Sequence, residues 1–70
     1  MDITFFEEHK EKFRYLEKMR EIGTYNSWML SLPLQEQFEL SHDEAARIHN
    51  FWIEHCIEIR KNSQPTQHNL

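Results

Sequence analysis

Apolar residues recur along this 70-residue chain at helical rather than alternating spacing. In the first third, Phe6, His9, Phe13, Leu16 and Met19 or Arg20 fall three or four apart and define one helix face. Phe5, Tyr15 and Ile22 widen that stripe. In the last third, Ala45, Ile48, His49, Trp52, Cys56 and Ile59 do the same, widened by Ala46, Ile53 and Ile57. The punctuation agrees with two helices. Thr4 and Glu7 have the spacing of a capping box, with Asp2 as the alternative cap, and Gly23 suits a left-handed helix end. Ser41 and Glu44 repeat the capping spacing more clearly, and Asp43 and Glu44 complement the dipole at that end. Arg60 and Lys61 complement it at the other.

These signals predict an all-α fold: two antiparallel helices, about 5–22 and 42–61, forming a hairpin with a short, partly helical connector. Asn26 or Ser27 can cap a turn through Trp28, Met29 and Leu30. Pro33 disfavours helical geometry at Leu32, so a break is expected there, with Pro33 opening a new two-turn piece as its first residue. Leu34, Phe38 and Leu40 would face inward from that piece. Residues 1–61 read as one helical domain and 62–70, polar and containing Pro65, as a flexible tail.

Composition sharpens the picture in two ways. With one Gly, two Pro and no Val, hairpin-rich sheets are disfavoured, while 13% aromatics argue against full disorder. The single Cys56 excludes an intrachain disulfide and fits a reducing compartment, so a cytoplasmic location is expected. No apolar run approaches the roughly 18 residues of a membrane span, and Met1-Asp2-Ile3-Thr4 has no basic leader pattern. The chain accordingly reads as a small protein beginning at its own methionine.

The net charge of −4 is unevenly placed. Residues 1–20 carry five bases and five acids, and residues 47–70 carry three bases and two acids. Residues 21–46 carry five acids (Glu21, Glu36, Glu39, Asp43 and Glu44) and no base. An acidic balance makes nucleic acid a poor partner. Lys10, Arg14 and Lys18 do align at four-residue steps, the basis of an alternative reading as a nucleic-acid-associated regulator. Glu7, Glu11, Glu17 and Glu21 flank that ridge and cancel most of its field. The acidic middle can also present a negative patch that competes with nucleic acid on a basic protein; capping by Asp43 and Glu44 is the plainer explanation.

Catalytic chemistry has little to build on. His55 and Cys56 are adjacent, but neighbours on a helix point about 100° apart, which is poor geometry for activating a thiol. Glu39 and His42 form a lone E-x-x-H string across the Ser41 cap. One glycine cannot build a phosphate loop. A third reading, a metal-stabilised hairpin using His49, His55 and Cys56, lacks the close ligand pairs of zinc sites. The expectation is a chain that is not an enzyme and takes no metal or cofactor.

What remains is a surplus of large apolar residues. Tyr25, Trp28, Met29, Leu30 and Leu32 cluster in the connector and are the candidate partner-binding residues. Phe6, Phe13, Leu16, Ile48, Trp52 and Ile59 are the candidate core or dimer-interface residues, since two wide stripes in so short a chain ask for a second copy or another layer. The sequence therefore predicts a small protein-binding adaptor or inhibitor, homodimeric, with a protein partner of unspecified identity.

Overall fold

The computed structural model describes residues 1–23 and 26–63, the last two by backbone alone. Among these residues, four α-helices and one 3₁₀ turn follow one another: α1 (Ile3–Glu8), α2 (Lys10–Ile22), the turn Ser27–Met29, α3 (Ser31–Phe38) and α4 (His42–Ser63). No strand occurs among the described residues. The chain is all-α, as the apolar spacing predicts.

The first expected helix is broken. Its cap is Asp2, whose carboxylate accepts from the Phe5 amide at 3.1 Å, so the box between Thr4 and Glu7 does not form the cap. At His9 the backbone leaves helical geometry (φ −116°, ψ 25°), and its amide is shared between the Phe5 and Phe6 carbonyls at 3.2 Å each. Adjacent residues on a straight helix point about 100° apart, so Phe5 and Phe6 cannot both face one core. The break accompanies a different solution. Phe6 is buried and stacks on Phe13 at 5.7 Å, while Phe5 meets Phe51 of α4 at 4.7 Å. Gly23 ends α2 in the left-handed conformation, as expected.

Residues expected to be a short connector supply a third packing element. α3 packs against both α2 and α4, and α2 against α4. Leu30 and Leu34 are fully buried, and Phe38 and Leu40 are half-buried. The break expected at Leu32 is absent, and Pro33 is the third residue of α3 rather than the first. The first amides of a helix have no intrahelical acceptor, so a proline there forfeits no hydrogen bond. The first amide that does find one is Leu34, bonding the Leu30 carbonyl at 3.0 Å. Burial of Leu30 and Leu34 outweighs the local bias against helix before proline.

The Ser41 capping box forms in full. The Glu44 amide donates to Ser41 Oγ at 3.1 Å, and the Ser41 amide donates to the Glu44 carboxylate at 3.3 Å. α4 then runs to Ser63, past the expected end, with a kink at His55 (φ −123°, ψ 21°). The core is Phe6, Phe13, Leu16, Leu30, Leu34, Ala45, Ile48, Trp52 and Ile59. All six residues expected at the core or dimer interface are thus covered within one chain, because α3 supplies the layer that a second copy was expected to bring.

Candidate protein-docking surface

Leu30 and His49 fix the segment that carries the surface. The Leu30 side chain is fully buried between the helices, and His49, itself 6% exposed, donates from Nε2 to the Ser27 carbonyl at 2.8 Å. A carbonyl can only accept, so this bond sets the ring's tautomer. The 3₁₀ turn is thereby tied to the middle of α4. On the other side, the Tyr15 hydroxyl reaches the Pro33 carbonyl at 3.4 Å, and its ring meets Phe38 edge-on at 5.6 Å.

On this framework Trp28 is 70% exposed and Leu32 is 58% exposed. Four positions separate them, and Glu36 lies four further on, also exposed. The structure therefore divides the expected partner-binding set. Trp28 and Leu32 face outward, Met29 is half-buried with its sulfur 3.9 Å from the Asn26 side-chain amide, and Leu30 belongs to the core. Leu30 is unavailable to a partner. Tyr25 lies outside the described residues. Other exposed apolar side chains are Ile3 on α1, Ile22 on α2, and Ile53 and Ile57 on α4.

Two side-chain arrangements escaped sequence reading. Glu17, read from the sequence only as an acid flanking Lys10, Arg14 and Lys18, joins α2 to α4. Its carboxylate accepts from Trp52 Nε1 at 2.6 Å, Arg60 Nε at 2.8 Å and Arg20 Nη2 at 3.3 Å. The hydrogen bond to Glu17 raises the Arg60 pKa. A buried indole N–H needs an acceptor, and that was the available signal; which carboxylate serves depends on the packing. The second arrangement is a line of four rings. His9 lies 4.6 Å from Phe5, Phe5 4.7 Å from Phe51, and Phe51 4.6 Å from His55.

A cleft of about 140 Å³ beside His9 is lined by Phe5, Glu8, His9, Glu44, Arg47 and Ile48. Small-molecule sites typically run from about 300 to 1,000 Å³, so this one is small. The Nδ1 atom of His9 is buried without a hydrogen-bond partner. Burial, helped by the nearby Lys12 charge, lowers the His9 pKa. No group of three or more His, Cys, Asp or Glu side chains suited to a metal occurs among the described residues. Cys56 is a half-buried free thiol in the core margin. No helix among the described residues is long and apolar enough to cross a membrane.

Compared with known protein families, curated proteins and solved structures, the chain matches none.

Proposed function

We propose that this chain is a non-enzymatic binding protein that docks on another protein through Trp28 and Leu32, acting as an adaptor or inhibitor. The observation that carries the reading is the exposure of Trp28, 70% free beside a fully buried Leu30. Tryptophan is enriched among residues that dominate binding energy, and a large indole left in water beside an ordered core has apolar area to bury against a partner. His49 and Leu30 hold the turn in place before binding, which lowers the ordering cost of association.

Self-association has a smaller role on this reading than the sequence implies, since the six residues expected at a dimer interface are buried within one chain. The nucleic-acid alternative stays the weaker one: Glu17 turns to α4, but Glu7, Glu11 and Glu21 are exposed and still offset the field of Lys10, Arg14 and Lys18.

Site-specific photocrosslinking tests the proposal. A benzophenone amino acid placed at position 28 or 32 in the full chain should give discrete adducts with a partner protein in the producing cells. The same group at exposed Glu11 or Arg14 should not. Equal labelling from all four positions, or none from 28 and 32, would refute docking here.

A further inference from the structure

We propose that the outward side of the 3₁₀ turn and α3 receives a basic segment of a partner protein, one in which a large apolar side chain is flanked by lysine or arginine. The inference rests on the docking reading above and adds the chemistry of the partner.

Helical spacing puts Trp28, Leu32 and Glu36 on one side of the segment, with Glu39 three residues beyond, and all four are exposed. The opposite side is spent on the core through Leu30, Leu34 and Phe38. The outward side therefore begins apolar and ends acidic. Between residues 21 and 46 there are five carboxylates and no lysine or arginine, and all five residues are exposed.

Several other carboxylates have work within the fold. Glu17 accepts from Trp52 and Arg60, Glu44 completes the Ser41 cap, and Glu58 pairs with His55. The ion pairs found among the described residues leave Glu36 and Glu39 uncommitted. The nearby Lys12 ammonium sits over the Phe38 ring, 5.2 Å from its centre, on a residue that packs against the core.

Trp28 points to the same partner. An exposed indole is the best aromatic host for a lysine or arginine cation, and its area also takes an aliphatic side chain. An apolar contact with carboxylates one and two turns away selects against acidic partners by repulsion and steers basic ones inward. A second copy is disfavoured, because at a net charge of −4 it would bring like patches together.

The test measures anisotropy of two labelled peptides against the full chain at low salt: a 14-residue leucine/lysine helix and a leucine/glutamate helix of the same apolar pattern. The lysine peptide should bind at least about tenfold more tightly, and added salt should erode the difference. Glu36→Gln with Glu39→Gln should weaken it about fivefold or more. Glu7→Gln with Glu8→Gln changes the net charge equally on α1 and should leave it unchanged. Trp28→Ala and Leu32→Ser should each abolish the preference while the circular dichroism spectrum stays intact.

Equal binding of both peptides, still dependent on Leu32, overturns the basic-partner inference and leaves the docking reading standing. Binding that tracks net charge and ignores Trp28 and Leu32 overturns this site. Absence of binding by either peptide overturns the inference. A concentration-dependent dimer lost in Trp28→Ala overturns it in favour of a second copy.

Discussion

Glu17 shows how much one side chain can carry here. It accepts from both Trp52 and Arg60 across α2 and α4, with 14% of its side chain exposed. Removing the acceptor strands a buried indole N–H and an arginine. Glu17→Ala should therefore cost about 1–3 kcal/mol, discounted for the partly exposed Arg60, as read from urea unfolding midpoints. Glu39 offers the reverse case. It ends α3 at φ 54° and ψ 48°, a left-handed conformation that Gly23 adopts at the end of α2 without strain. Glu39→Gly should raise stability by about 0.5–1 kcal/mol in the same assay, a gain offset only by the added freedom of the unfolded chain.

His9 makes stability depend on pH, with a definite sign. Its pKa lies below 6.5 in the folded chain because burial and Lys12 disfavour the imidazolium. The unfolded chain then binds more protons in acid, so this contribution is present above pH 6.5 and is lost as the pH falls through the lowered value. The urea midpoint of the wild-type chain should drop between pH 7.5 and 5 by more than that of His9→Gln. An identical drop in both would assign the pH dependence to other groups.

At the scale of elements, the two kinks share one construction. His9 and His55 leave helical geometry at nearly the same angles, and each ring lies 4.6 Å from a phenylalanine four residues earlier. Those phenylalanines, Phe5 and Phe51, touch each other. The kinks therefore sit at the two ends of one aromatic line joining α1 to α4. Phe51→Ala removes its middle and should destabilise by about 2–4 kcal/mol, slightly less than a fully buried phenylalanine, with loss of near-ultraviolet circular dichroism. Breaks of this kind are poorly legible in sequence. His9 occupies an ordinary stripe position and His55 a position beside the stripe, and the contact between Phe5 and Phe51 spans most of the chain.

For the whole molecule, the two tryptophans separate folding from binding. Trp52 is 1% exposed and Trp28 is 70% exposed. Trp52→Ala opens a large cavity and frees the Glu17 carboxylate, a loss of about 3–5 kcal/mol, which a small domain of marginal stability will register as unfolding near room temperature. Trp28→Ala should leave the thermal transition within about 0.5 kcal/mol of wild type. A large loss of stability in Trp28→Ala would place that side chain in the folding core and remove the docking surface.

Local and short-range rules determined much of this by sequence alone. Helical spacing set the all-α class, the ends of α2 at Ile22 and Gly23, and the Ser41 cap, because each depends on residues within one or two turns. The same spacing picked out the stripe residues Phe6, Phe13, Leu16, Ile48, Trp52 and Ile59, all of them buried. Tertiary structure decided what covers those stripes. Whether α3 packs as a third element depends on Leu30 and Leu34 meeting α2 and α4, a long-range outcome that outweighed the proline signal. It also decided which connector residues stay outside. Trp28, Leu30 and Leu32 are chemically alike and nearly adjacent, and only the direction in which the packed turn points them sends Leu30 into the core and leaves the other two in water.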